Sequence, residues 1–220
     1  MYESLTDFIK RIESDSIGEW HGGIKEEPDV STFPFVAYSA VVHEFADAVR
    51  NFVDKHQEFE LYRFHAIIEE KCKDFMVEEI HQLDDVKINA LDGRTVMALI
   101  VWAVRGERFC DGLLLSRFED GSMMRCLQRL KDIDEFIPDH EVINSAHQYS
   151  ANNRKSLEKD EVCGCFHCCK TFSPKLIREW IDDGSTAICP FCGIDAIIGD
   201  DSDSIITEEF LRAINKEWFS

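Results

Sequence analysis

The sequence has little that would place the chain in a membrane or in a secretory pathway. Its longest uninterrupted apolar run, Val96–Val104, has nine residues, whereas a membrane-spanning helix needs about 20. The first 16 residues are charged throughout and lack the apolar core of a secretory signal peptide. We therefore expect a cytoplasmic location.

Several motifs of catalytic sites are also missing. The chain has no G-x-S-x-G nucleophile motif and no G-x-x-x-x-G-K phosphate-binding loop. None of the histidines in its first 100 residues has the i, i+4 spacing and the carboxylate of a helical metalloprotease site. The acidic run Gly199–Ser204 lacks the spacing and the terminal glutamate of an EF-hand, and we interpret it as a solvated loop.

Basic side chains are scarce, with 24 Lys and Arg against 43 Asp and Glu and a net charge of −19. A field of this sign repels phosphate backbones, so general nucleic-acid binding is not the first expectation. The segment Val162–Arg178 is an exception, because it contains Lys170, Lys175 and Arg178 and no acidic residue. These three are candidate binding residues for an alternative function, a regulatory protein that contacts nucleic acid.

The sequence does contain a long helical part. Apolar residues recur with the spacing of a core-facing helix in four segments: 39–55, 59–80, 94–109 and 123–133. No stretch in this part alternates with the period of two that indicates a strand. We therefore expect a helical domain over residues 1–137.

The composition of the sequence becomes polar at Pro138, and we interpret residues 138–160 as a linker. The remainder, 161–220, predicts a small α+β module that resembles a zinc ribbon. Within it, Ser173, Pro174 and Gly184 predict a helix over 173–184, "GIDAIIG" predicts a short strand, and Thr207 predicts the cap of a last helix. The fold class is accordingly mainly α, with a small α+β module at the C-terminus.

Nine cysteines, an odd number with six in the last 60 residues, do not suggest a secreted disulfide framework. Cys165 and Cys168 form one C-x-x-C pair, and Cys189 and Cys192 form a second pair after a gap of 20 residues. Each pair lets a tight turn direct two thiolates at one ion, and two pairs complete a tetrahedron. We predict a Zn²⁺ site with these four ligands, structural because it leaves no position for water.

Three alternatives to this ligand set stay open. Cys163 can replace Cys165 at a less common spacing, and His167 can enter a mixed site with three cysteines. Cys189 and Cys192 can instead form a redox pair, which requires a helix N-terminus at the motif.

The string "VRGERFCDG" is the most distinctive in the helical part, with Arg105 and Arg108 one turn apart and Glu107 and Asp111 beside them. One interpretation is an arginine pair that binds an anion or a partner. The other, which we favour here, is an internal cluster of ion pairs and caps, since the neutralising acids lie within the same string.

Two resemblances are carried by these strings. "PFVAYSAVVHEF" and "VRGERFCDGLLLSRFEDGSMMRCLQRLKDI" make the span Phe8–Ile133 similar to an uncharacterised bacterial helical domain family with the pattern R-x-x-R-F-x-x-G. The chain departs from that family at "FELYRFHAI", where an Asp-Trp pair is usual. The paired C-x-x-C, "P-x-x-I-x-x-W" and "CGID" of the tail resemble a module of small bacterial cytoplasmic proteins, which implies metal binding. Neither resemblance implies a catalytic residue.

We conclude from the sequence that the chain is a non-enzymatic, zinc-binding interaction protein. Its acidity suits a partner with a basic surface and fits an inhibitor or immunity role, because complementary charge speeds association. Two alternatives remain, the nucleic-acid-linked regulator and an enzyme with a site near Arg105 and Arg108.

Overall fold

A computed structural model describes residues 1–23, 32–199 and 206–219. Most of the acidic run predicted as a solvated loop, residues 200–204, lies outside these ranges. The chain divides into two compact units, the first formed by Met1–Ile68 with Gly93–Asp134 and the second by Glu69–Asp92 with Glu135–Ser220. None of the helices in the described ranges combines the length and apolarity that a bilayer crossing requires.

Helices account for most of the regular structure. The α-helices are α1 (Glu3–Thr6), α2 (Phe8–Ser14), α3 (Ala40–Lys55), α4 (Phe64–Asp74), α5 (His81–Val86), α6 (Gly93–Gly106), α7 (Leu113–Glu119), α8 (Ser122–Glu135), α9 (His140–Ala146), α10 (Arg154–Leu157) and α11 (Glu208–Trp218). Short 3₁₀ turns occupy Gln57–Phe59, Leu61–Arg63, Ile88–Ala90, His147–Ser150 and Pro174–Leu176. The strands are β1 (Gly18–Gly23), β2 (Thr32–Tyr38), β3 (Cys163–Cys165), β4 (Thr171–Phe172), β5 (Trp180–Ile181), β6 (Thr186–Ala187) and β7 (Ile197–Gly199).

The core of the first unit forms around α3 and α6. Helix α6 is buried along most of its length, as its nearly continuous apolar sequence predicts. On α3, the fully buried Phe45 meets the rings of Phe8 and Phe118 edge-on, with centroid distances of 5.7 and 5.8 Å. Helices α3, α6 and α8 confirm three of the four predicted helical segments, while the segment 59–80 forms a helix only over Phe64–Asp74.

The first unit also contains an antiparallel hairpin, so the prediction that this part has no strand is wrong. Strands β1 and β2 pair Trp20 with Val36 and His21 with Phe35. Trp20, Phe33 and Phe35 are all exposed. Because the apolar residues of the hairpin are not confined to a buried face, its hydrophobicity does not alternate with the period of two.

The second unit contains a three-stranded antiparallel sheet in the order β4-β3-β7 and the hairpin β5-β6. Helix α11 packs on β3, where a Cβ on Gly164 would lie 2.6 Å from a methyl carbon of Leu211. Strand β7 and helix α11 confirm two predictions, and the Thr207 hydroxyl accepts the Phe210 amide at 3.2 Å as the predicted cap. The mainly α fold with a small α+β module is confirmed.

The predicted helix over 173–184 does not form. The structure has a 3₁₀ turn at Pro174–Leu176, followed by β5. The Ser173 side chain caps nothing, and its amide instead donates to the Asp74 carbonyl at 2.9 Å. The chain then reverses at Asp182–Gly184, where all three residues have positive φ, so β5 pairs with β6 instead of continuing as a helix.

Residues 138–160, interpreted as a linker, hold α9, α10 and the 3₁₀ turn between them. Asp139 caps α9 by accepting the amides of Glu141 and Val142. Ile143 and Leu157 are buried. The polar composition of this segment reflects capping and internal hydrogen bonds, which are compatible with folding.

Candidate functional site

The two C-x-x-C pairs of the second unit come together in space. The sulfur atoms of Cys165, Cys168, Cys189 and Cys192 all lie within 4.8 Å of one another. The Cys165 Sγ lies 3.6 Å from the Cys192 Sγ, and the Cys168 Sγ lies 3.8 Å from the Cys189 Sγ. The four residues predicted from their spacing therefore form one cluster.

Each pair lies on its own backbone turn, and the two turns are of the same type. In the first, the Cys165 amide donates to the Lys170 carbonyl at 3.0 Å, and the Cys169 amide donates to the Cys165 carbonyl at 2.7 Å. In the second, the Cys189 amide donates to the Ile194 carbonyl at 3.0 Å, and the Gly193 amide donates to the Cys189 carbonyl at 2.9 Å. The two turns thus match hydrogen bond for hydrogen bond.

Each turn needs a left-handed residue at its fifth position. Gly193 supplies it in the second turn with φ of 75°, a conformation that glycine adopts without steric cost. Cys169 supplies it in the first turn with φ of 59°. The conformation of Cys169 therefore closes the turn, and its sulfur is not part of the cluster.

The sulfur spacing fits a tetrahedral metal ion. Zn–S bonds of about 2.3 Å place the sulfurs of a regular tetrahedron about 3.8 Å apart, and the two distances above are 3.6 and 3.8 Å. Two of the four cysteines are buried and two are partly exposed. The cluster can hold a metal ion, and thiolate donors in this arrangement favour zinc or iron.

Hydrogen bonds among the thiols of the cluster shift the pKa values of Cys165 and Cys168 in opposite directions. Hydrogen bonds from the Cys165 and Cys189 thiols lower the pKa of Cys168, because they stabilise its thiolate. The hydrogen bond that Cys165 gives to Cys168 raises the pKa of Cys165, since it favours the protonated form. A divalent cation would reverse this preference and hold all four groups as thiolates.

The remaining members of the cysteine-rich segment have other roles. The Cys163 sulfur lies in β3, buried, and donates to the Phe172 carbonyl at 3.4 Å. His167 is exposed, and its ring meets the ring of Phe219 edge-on at 4.9 Å. Neither residue belongs to the metal-binding group found among the described residues. No described helix begins at Cys189–Cys192, so the geometry that the redox alternative requires is missing there.

Two side chains hold the first turn in place, and neither was predicted. Asn215 of α11 donates to the carbonyls of Phe166 and His167 at 2.9 and 3.1 Å. The buried Thr171 hydroxyl donates to the Ala90 carbonyl at 2.9 Å. Both contacts join residues far apart in the chain, so no local sequence signal could reveal them.

Two of the three candidate basic residues of the second unit have partners in the structure. Lys170 lies 3.8 Å from a Glu70 carboxylate oxygen and 4.5 Å from the centre of the Phe191 ring. Arg178 donates to the Lys175 carbonyl at 2.9 Å. The acid that was absent from the local sequence around Lys170 is supplied by α4.

In the first unit, the prediction of ion pairs in "VRGERFCDG" is wrong for its arginines. The Glu107 carboxylate accepts the amides of Gly112 and Leu114 at 2.9 and 2.7 Å, which caps α7. It also accepts a hydrogen bond from Tyr38; burial, followed by this bond, raises the pKa of Tyr38. Glu107 therefore fulfils the predicted capping role, while Arg105 and Arg108 line a cavity that includes neither Glu107 nor Asp111.

Comparison with known proteins gives a family and no activity. A family model described as "Family of unknown function (DUF6508)" matches residues 2–135, more than half of the chain. This match agrees with the resemblance of Phe8–Ile133 to an uncharacterised helical domain family. Neither the curated proteins nor the solved structures yield a match.

Proposed function

We propose that this chain, which belongs to the family of unknown function DUF6508, is a non-enzymatic interaction protein. A structural Zn²⁺ ion held by four cysteines stabilises its second unit, and its first unit binds a protein partner. The observation that carries the metal part is the sulfur spacing, since the four Sγ atoms lie within 4.8 Å of one another.

Zinc is the metal that this donor set favours in a structural role. Four thiolate ligands satisfy a tetrahedral shell and leave no position for water or substrate, so the ion performs no catalysis. A module whose strands have only two or three residues gains from such an ion, because structural zinc contributes roughly 10 kcal/mol or more of folding free energy. The ion therefore acts through the fold.

Metal analysis of the purified full-length chain tests this role. We expect one zinc ion per chain in the wild type and its loss in Cys192→Ser. Cys169→Ser is the matched control, because Cys169 lies next to a proposed ligand and outside the cluster; we expect it to retain zinc. Full metal content in Cys192→Ser, or iron in place of zinc, would contradict the proposal.

The hairpin β1-β2 supports the partner-binding part. Phe33 and Phe35 are 91 and 51% exposed and lie two residues apart on β2, so their side chains share one face of the hairpin, whereas Trp20 pairs with Val36 on the other face. Exposed aromatic side chains grouped in this way are typical of protein interfaces. The net charge of −19 favours a partner with a basic surface, whose association it would accelerate.

Purification of the chain from its native host, with variants, tests this surface. We expect one protein to co-purify at a fixed ratio, to be released by salt and to be lost with Phe33→Ser/Phe35→Ser. Tyr62→Ser is the control, since Tyr62 is a 62% exposed aromatic residue outside the hairpin. Equal loss of the partner with Tyr62→Ser would contradict the hairpin as the binding surface. Co-purified nucleic acid that is lost when the charges of Lys175 and Arg178 are reversed would favour the nucleic-acid-linked alternative.

A further inference from the structure

We propose that a cavity of the first unit, lined by α3, the end of α6 and the residues that follow it, binds a small amphipathic anion. The ligand would be a carboxylate with a short hydrocarbon body. The cavity has a volume of about 360 Å³, within the range of roughly 300–1,000 Å³ that is usual for small-molecule sites. This inference is independent of the metal site, whose ligands all lie in the second unit.

The cavity has an apolar side. Val49 and Val53 of α3 and Val101 and Val104 of α6 line it. Three of these valines are buried, with Val53 partly exposed. Phe109, whose side chain is 91% exposed, also lines the cavity. A hydrocarbon chain laid against Val53 and Phe109, the two most exposed apolar residues of the cavity, would remove apolar surface from water on both molecules.

The polar side of the cavity is mainly cationic. Arg50, Arg105 and Arg108 line it together with one acid, Asp54. Arg50 forms an ion pair with Asp47, and the Arg105 guanidinium lies 5.7 Å from the centre of the Phe64 ring. Within the described parts of the chain, Arg105 and Arg108 have no carboxylate partner.

Two unpaired guanidinium groups are unexpected in a chain with 43 acidic and 24 basic residues. Arg105 lies in the last turn of α6, where a cation also offsets the negative end of the helix dipole. That effect explains one arginine and leaves the second guanidinium and the apolar wall beside it unexplained. A carboxylate would accept from both guanidinium groups, which are planar donors suited to two-point recognition.

Titration calorimetry with octanoate tests the inference on the full-length protein. Acetate, with the same head group and no chain, should bind much more weakly, because each buried methylene increases affinity about fourfold. Octylamine, with the same chain and the opposite charge, should not bind measurably. Equal binding of octanoate and octylamine would overturn the proposal, since it would indicate apolar contact alone.

Three variants assign the charge to the named residues. Arg105→Gln/Arg108→Gln should weaken octanoate binding at least tenfold, and Asp54→Asn should strengthen it. Lys10→Gln/Lys175→Gln is the matched control, because it removes the same charge from two exposed sites outside the cavity and should bind octanoate as the wild type does. Unfolding curves check that each variant is folded. Wild-type affinity in the folded arginine variant would refute the site.

Discussion

Asn153 is a buried polar residue whose removal should destabilise the second unit. Its side chain is 5% exposed. The amide nitrogen donates to the Ile197 carbonyl at 2.8 Å and to the Ser150 carbonyl at 2.9 Å. The amide oxygen accepts the Ala187 amide at 3.0 Å. One side chain thus ties strands β6 and β7 to the turn that precedes α10.

Asn153→Ala would leave two buried backbone groups without partners, the carbonyl of Ile197 and the amide of Ala187, because both residues are fully buried. Each unsatisfied buried group costs about 1–3 kcal/mol. The Ser150 carbonyl belongs to a half-buried residue and can be solvated. We therefore expect a loss of roughly 2–6 kcal/mol in the free energy of unfolding, a large fraction of the ~5–15 kcal/mol of a typical domain.

Urea unfolding followed by circular dichroism, with zinc present throughout, measures this loss. With a slope of about 2 kcal/mol/M, in the middle of the usual range, the midpoint should fall by roughly 1–3 M. Asn144→Ala is the control, because Asn144 is exposed on α9 and alanine is the better helix former. Asn153→Asp should also be destabilising, since a carboxylate cannot donate to Ile197. An Asn153→Ala midpoint equal to that of the control would refute this reasoning.

Three further predictions concern other groups. Glu107→Gln should lower the free energy of unfolding by about 1 kcal/mol in the same assay, because an amide oxygen is a weaker cap than the carboxylate that accepts the amides of Gly112 and Leu114 at the start of α7. An equal effect from Glu119→Gln, at an exposed glutamate, would contradict this prediction. Burial raises the pKa of Asp74 above 3.8, so the folded state binds the proton more tightly and stability falls as pH rises from about 4 through the raised pKa. Asp74→Asn should therefore be more stable than the wild type at pH 7 and lose that part of the pH dependence, and an unchanged slope in unfolding titrations would count against it. Removal of metal by a chelator should speed hydrogen exchange at the amides of Cys169 and Gly193, which close the two turns. Unchanged protection of these amides would show that the turns are stable without the metal.

The metal cluster was predictable because its information is local. Two residues between thiols favour a tight turn that directs both sulfurs at one ion, and the glycine after the second pair marks the left-handed position of that turn. The same turn after the first pair carries Cys169 at that position. A cysteine there looks like a spare ligand in the sequence, and only its backbone conformation reveals that it closes the turn.

The failures arise where distant groups compete with local ones. Ser173 and Pro174 are favourable residues for a helix start, but the Ser173 amide donates to the carbonyl of Asp74, which lies 99 positions earlier in the chain. The polar segment 138–160 lacks a strong apolar period, yet the hydrogen bonds of Asn153 to β6 and β7 hold it in the second unit. In both cases the deciding partner lies outside any sequence window.

The arginine string illustrates the same competition in electrostatic form. The sequence places Glu107 next to Arg105 and Arg108, and simple charge pairing assigns it to them. In the fold, two backbone amides at the start of α7 take both oxygens of that carboxylate. An amide at a helix N-terminus has no intrahelical partner, so it is a strong competitor for a carboxylate five or seven residues earlier. Because the Glu107 carboxylate accepts these two amides, it caps α7 and is not an ion-pair partner of Arg105 and Arg108, which line the cationic side of the cavity.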